Sequence, residues 1–393
     1  MEIEPRVQFD DTSTAFSYKS NQQLKKANFI FTTVNNPVIS AMATTMAKYA
    51  LKLHLPFVKT IIRNTIFEHF CGGETIDESE KTIANLKRFN VGTILDYSVE
   101  GAKTEEGFNA TTREILQTIE KAKGNDALPF CVFKVTGMAD TPLLAKKHSG
   151  EKLTDEETAA FGRVHNRVDA VCKKAFENDV HILVDAEETW IQDPIDHLAY
   201  EMMRKYNRQK AIVFNTFQMY RKDMSAQLRE AHQEAVKENY FLGVKLVRGA
   251  YMEKEAAYAE KAGLENPIHP TKEDTDKAFN KALTFCVDNR EKISLMCGSH
   301  NDYSNRFLTV LLEKKGLRPN DPHIWFAQLL GMSDHISFNL SKAGYNVAKY
   351  VPYGPVAAVM PYLIRRAQEN TSVAGQSSRE LQLIRKELKR RRK

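Results

Sequence analysis

Residues 181–186 read His181-Ile182-Leu183-Val184-Asp185-Ala186, and residues 211–215 read Ala211-Ile212-Val213-Phe214-Asn215. Both are short apolar runs, and a helical stretch with a charged face separates them. A strand followed by a helical crossover is the repeating unit of a parallel sheet. The same unit recurs outward from this pair, at residues 91–96, 130–135, 243–247, 293–297, 324–328 and 347–351. Eight such units over roughly 280 residues fit a closed barrel better than an open sheet. The rival, an open doubly wound sheet, usually places a glycine-rich phosphate turn after its first strand. Here that position reads Asp96-Tyr97-Ser98-Val99-Glu100-Gly101, which lacks GxGxxG, and no GxxxxGK[ST] occurs anywhere. The expected fold is α/β, a (β/α)8 TIM-like barrel preceded by N-terminal helices.

Upstream, the stretch from Pro37 to Arg63 carries Val38, Met42, Met46, Leu51, Leu55, Val58, Ile61 and Ile62 at helical spacing. Cys71-Gly72-Gly73 interrupts it, and Thr75 starts a second helix running through Leu86. Three segments follow: an N-terminal helical segment over 1–85, the barrel over 86–376, and a basic tail over 377–393.

Composition excludes several classes. The chain has 393 residues, 42% hydrophobic and 27% charged, in the range of globular proteins. Net charge is +6, but Lys389-Arg390-Arg391-Arg392-Lys393 carries five of those charges. The body is therefore near neutral and no nucleic-acid partner is expected. Cys71, Cys131, Cys172, Cys286 and Cys297 are scattered without a CxxC pair, which argues against a disulfide framework and structural zinc. No metal is expected. No apolar run reaches the roughly 18 residues of a spanning helix. The start resembles neither a signal core nor an Arg-rich presequence, so a cytoplasmic bacterial protein is expected.

A barrel enzyme gathers its active site at the C-terminal ends of its strands. Those ends carry Asp96, Lys134, Asp185 with Glu187 and Glu188, and Gln218. They continue with Arg248-Gly249-Ala250-Tyr251, Ser299-His300-Asn301, Gln328 and Tyr350. Solvent contact alone also makes strand ends polar, so the signal is the set rather than any one member. Alternation puts Lys134 on the face of Val132, and an inward ammonium requires a counter-charge or an anionic ligand. A salt bridge to Asp185 and a ligand role are both open. Asp185 is equally a structural partner of Lys134 or Arg248, or a carboxylate that orients substrate. On a helix, Tyr362, Arg365, Arg366 and Glu369 recur at i, i+3, i+4 and i+7 and share a face. Paired guanidiniums suit a carboxylate or phosphate; a solvated ion-pair face is the plainer alternative. His300 lacks the spacing of a metal site, leaving a general base, a cofactor contact or a structural histidine.

As an ordered set, Gln218-Met-Tyr-Arg-Lys-Asp223, Lys245-Leu-Val-Arg-Gly-Ala-Tyr251 and Tyr362-Leu-Ile-Arg-Arg-Ala-Gln-Glu-Asn370 resemble signatures of the proline dehydrogenase family. Val184-Asp-Ala-Glu187, Ser299-His-Asn301 and Tyr350-Val-Pro-Tyr-Gly354 fit the same pattern, and the resemblance spans about residues 70–375. It implies a distorted (β/α)8 barrel with non-covalent FAD. The implied activity is oxidation of L-proline to Δ1-pyrroline-5-carboxylate, by hydride transfer from C5 to the flavin, with electrons passed to a membrane quinone. It also implies that Arg365 and Arg366 clamp the proline carboxylate, with Lys134 as a third cation and Glu369 anchoring Arg365. Leu246, Tyr251, Tyr350 and Tyr362 fall to the substrate, and Asp185 supports the pocket. Gln218, Lys245, Val247, Arg248, Gly249, Ala250, Ser299, His300, Asn301 and Gln328 fall to the flavin. Lys245 stands where many members carry arginine, although another branch carries lysine. A bulky Tyr350 near C4 favours proline over 4-hydroxyproline. Such chemistry needs orientation rather than a nucleophile or a metal.

A quinone resides in the membrane, and the tail offers a route to it. Leu381, Ile384 and Leu388 fall at i, i+3 and i+7, with Arg385, Lys386 and Lys389 on other faces. That pattern suits a basic helix lying in an anionic interface, which would make the protein peripheral on the inner membrane. A disordered solubilising tail is the alternative. The chain is too short to include an aldehyde dehydrogenase domain, so a separate pyrroline-5-carboxylate (glutamate semialdehyde) dehydrogenase is expected downstream. Rival functions are a barrel aldolase or lyase with Lys134 or Lys245 as a Schiff-base nucleophile, and a hydroxyproline-directed dehydrogenase.

Overall fold

The computed structural model describes residues 7–34, 58–99, 102–364, 366 and 376–392. Eight parallel strands close in chain order into a barrel. They are β1 (Val91–Tyr97), β2 (Phe130–Phe133), β3 (His181–Val184), β4 (Val213–Gln218), β5 (Leu242–Val247), β6 (Ile293–Gly298), β7 (Ile324–Leu329) and β8 (Val347–Tyr353). Every run read as a strand from the sequence forms one; only the ends move. β2 stops at Phe133 because a 3-10 turn begins at Val135. β4 starts later than Ala211 because the Asn207 side chain accepts from the Ile212 and Val213 N–H groups, both at 2.9 Å. It then continues to Gln218, opposite Val247 of β5.

Contacts divide the chain into two compact units. One contains Gly101–Ala327 and the other Val7–Glu100 with Gln328–Lys393. In the first, β2 and β4 are buried along their whole length. Phe130 meets Phe214 at 5.4 Å and Trp325 at 5.3 Å, edge to face. β2 and β7 are not neighbours, so these rings touch across the barrel interior and close its N-terminal end with side chains. Helix starts here follow local capping chemistry. Thr154 and Glu157 form a reciprocal capping box at the head of the helix Asp155–Glu177.

In the second unit β1 and β8 pair along their full length, with Ile94 opposite Tyr350. The helix Ile76–Lys87 starts at the Thr75 cap, where the sequence places it. Of the helical stretch expected over Pro37 to Arg63, residues 37–57 lie outside the described residues; the chain is helical from Val58 to Phe70, with a π turn over Arg63–Phe67. Phe16, Leu24, Phe31, Phe67 and Phe70 share a core with Leu381 and Ile384. Those last two belong to the C-terminal helix Gln376–Arg390. The stripe expected to lie on a membrane, or to be disordered, is instead buried: Leu381 is 7% and Ile384 1% exposed, and Leu388 packs against the same core. An apolar stripe records that burial is favourable, and here the protein's own helices provide it. Among the described residues no helix is long and apolar enough to cross a membrane.

Candidate functional site

In the first unit the strand ends carry a dense set of ion pairs and hydrogen bonds. Asp185 follows β3, and its N–H donates to Phe133 O at 3.0 Å. Its carboxylate is ion-paired with Lys245 of β5, which is 5% exposed. The sequence pointed to Lys134 or Arg248 as its partner rather than Lys245, and Arg248 turns elsewhere: its Nε donates to Asp276 at 2.7 Å, Nη1 to Ser299 Oγ at 2.8 Å and Nη2 to Ser304 Oγ at 2.9 Å. The guanidinium also lies 4.4 Å from the Phe279 ring centroid. Arg248 is thus held from several sides at once.

Gly249 follows with φ of 134°, and a Cβ there would stand 2.3 Å from the Tyr220 ring. Only glycine fits such a backbone against such a neighbour. Leu246 is fully buried, Val247 half-buried and Ala250 exposed. Tyr251 precedes the helix Met252–Ala262, with Lys254 Nζ 5.5 Å from its ring centroid. On the β6 side, Ser299 Oγ also accepts from the Asn301 N–H at 3.1 Å. Asn301 caps the helix Asp302–Lys314 by accepting from Ser304 N–H at 2.9 Å. His300 between them is half-buried.

Lys134 emerges directly after β2, and its charge acts on Glu187. Glu187 is buried and accepts from the Thr136 N–H at 3.1 Å and the Thr136 hydroxyl. Burial pushes its carboxyl up to about 7, against the pull of Lys134 and both Thr136 bonds. Next to it, Gln218 is 2% exposed; its Nε2 donates to Glu187 O at 3.0 Å, while its buried Oε1 has no hydrogen-bond partner among the described residues. A buried acceptor left unsatisfied is costly.

In the second unit Tyr350 is 7% exposed, and its carbonyl accepts from Leu330 N–H at 2.9 Å. Gln328 Oε1 accepts from the Ser337 hydroxyl at 2.7 Å. Tyr362 is buried and the Arg366 guanidinium lies 5.1 Å from its ring centroid, so the shared helical face is real for this pair. Arg365 and Glu369 lie outside the described residues. Glu187 was visible only as one of several acids after β3. Its partner Gln192, and Asp196 beyond it, carry one signal in the sequence: two polar residues at i and i+4 on the side of a helix that also holds Ile191, Ile195 and Leu198.

The family model described as proline dehydrogenase matches residues 79–379. Mitochondrial proline dehydrogenase 1 of Homo sapiens is 44% identical over 243 residues, covering 61% of this chain and 40% of that protein. Its counterpart in Dictyostelium discoideum is 36% identical over 374 residues, covering 84% of this chain and 65% of that protein. The carbapenem antibiotics biosynthesis protein CarD of Pectobacterium carotovorum subsp. carotovorum is 35% identical, covering 82% and 83% respectively. Among solved structures, proline utilization A from Bdellovibrio bacteriovorus inactivated by N-propargylglycine superposes with a TM-score of 0.72 at 18% identity. That superposition covers 93% of this chain and 38% of that one, and at such identity it speaks for the fold.

Proposed function

This chain belongs to the proline dehydrogenase family, and on that premise we propose that it oxidises L-proline to Δ1-pyrroline-5-carboxylate. Non-covalently bound FAD supplies the hydride acceptor, and a membrane quinone is the final oxidant. The observation that carries the reading is Gln218 Oε1, a buried acceptor at the end of β4 without a donor among the described residues. The oxidised isoalloxazine ring has a single N–H, which suits it. Gly249, a proposed contact of the same group, lets the backbone after β5 pack directly against the Tyr220 ring.

The chain's own residues bind and orient. Arg248, Ser299, His300, Asn301 and Gln328 are the remaining proposed cofactor contacts, with Val247 and Ala250 flanking Arg248 and Gly249. Lys245 acts mainly by neutralising Asp185, so that neither charge is buried alone. Arg366, together with Arg365, supplies the cations that a substrate carboxylate requires, and Tyr362 supports Arg366. Glu369 anchors Arg365 in this reading. Lys134 is a further cation, and Leu246, Tyr251 and Tyr350 are the apolar cover for the ring. Exposed Arg385, Lys386 and Lys389 supply attraction to an anionic membrane surface.

An absorbance spectrum taken before and after addition of L-proline tests the proposal. Bands near ~450 nm that bleach with proline are expected of a flavin reduced by its substrate. Absence of flavin after FAD is supplied, with borohydride trapping of a substrate on Lys134 or Lys245, would establish the lyase alternative instead. Bleaching with 4-hydroxyproline but not proline would redirect the substrate.

A further inference from the structure

A run of buried hydrogen bonds leads from the helix Thr189–Tyr206 to the Gln218 amide. Asp196 Oδ1 accepts from Gln192 Nε2 at 2.8 Å and from Asn215 Nδ2 at 2.7 Å. Gln192, 1% exposed, accepts through Oε1 from the Glu187 N–H at 2.7 Å. Glu187 O accepts from Gln218 Nε2 at 3.0 Å, and Gln218 Oε1 ends the run, unpartnered among the described residues.

The direction of every bond in this run is set by chemistry. An ionised carboxylate only accepts, so Gln192 must turn its NH2 to Asp196 and its oxygen to the Glu187 N–H. A backbone carbonyl only accepts, so Gln218 must spend its NH2 on Glu187 O. Its oxygen is then the atom left over. A free glutamine amide has no such preference, because its two ends are nearly the same size and can exchange by a half-turn. We propose that Gln192 and Asp196 are positioning residues, which hold the Glu187 backbone so that Gln218 presents an acceptor rather than a donor to the cofactor. This rests on the reading of Gln218 as a flavin contact. The helix Thr189–Tyr206 thereby contributes to recognition of a ring N–H without touching it.

The test is a double-mutant cycle on the FAD dissociation constant of the full-length holoprotein. It is read from the fluorescence of flavin released on dilution at pH 8, above the value of about 6 to which burial raises Asp196. Gln192→Met, close in volume, is expected to weaken FAD binding about tenfold, the worth of one buried hydrogen bond. In a Gln218→Leu background the same change is expected to cost less than about twofold, because the amide it orients is gone. Asp196→Asn is the milder second variant and should show the same dependence at about threefold. Equal losses in both backgrounds would overturn the inference while leaving the flavin reading intact. A Gln218→Leu protein that binds FAD as tightly as the parent would overturn both.

Discussion

Glu187 and Gly249 show how much single residues decide here. Glu187 is buried against its own charge: the fold binds a proton that the unfolded chain releases between pH 4.5 and about 7. Its folded value is raised, so it costs nothing below pH 4.5 and costs progressively more as pH rises through that window. Glu187→Gln should therefore raise stability by about 2–3 kcal/mol at pH 8 and by nothing near pH 4.5. Denaturant midpoints at both values check this, and a gain that is the same at both would refute the account. At Gly249 the argument is steric. Gly249→Ala places a methyl 2.3 Å from the Tyr220 ring in a backbone region hostile to side chains. A loss of about 2 kcal/mol or more is expected, with reduced flavin content in the purified protein.

The C-terminal helix is the element whose role the fold redefines. Its apolar residues face inward, and Glu387, fully buried, is held by Arg390 at 2.7 Å and Arg391 at 2.7 Å. Arg391 further donates to the Phe16 and Lys19 carbonyls. The basic end is thus partly a lock on the N-terminal helices rather than a free tail. Truncation after Leu388 should strip Glu387 of both partners and cost about 3–5 kcal/mol, measured by thermal or chemical unfolding. Lys389→Gln with Arg392→Gln, both at exposed positions, should leave unfolding unchanged and weaken binding to anionic liposomes in low salt. Liposome binding unaffected by these two changes would remove the tail from membrane contact. A similar lock sits behind β8, where fully buried Lys349 meets Asp334 at 2.9 Å and Lys19 meets the same carboxylate at 2.9 Å. Burial would raise the Asp334 carboxyl, but the two lysines overcome it and hold the group well below the usual carboxylate range.

For the molecule as a whole, the proposed activity makes a prediction about substrate choice. Tyr350 is buried in β8, and in the proposed site its ring would crowd a hydroxyl added to the substrate ring. The ratio of kcat/KM for proline over 4-hydroxyproline should exceed unity in the parent. In Tyr350→Ala it should fall by about tenfold, the usual scale for reshaping a pocket wall. A ratio below unity in the parent would sink the assignment of proline as the preferred substrate.

By itself the sequence determined the barrel, because strand and helix periodicities are local and each of the eight apolar runs carries its own. It also determined which residues stand at strand ends, since Lys134, Asp185, Gln218 and Arg248 need only be counted from those runs. Exact strand ends escaped it: β2 and β4 end or begin where a 3-10 turn and the Asn207 side chain take over the backbone groups. Tertiary structure alone chose the partners. Asp185 could face several cations of similar reach, and only the register of β5 selects Lys245. The stripe Leu381, Ile384 and Leu388 announces a buried face, yet burial free energy is nearly indifferent to what provides the apolar surroundings. Whether lipid or protein covers such a face depends on the shape of the surface opposite, which no local pattern encodes.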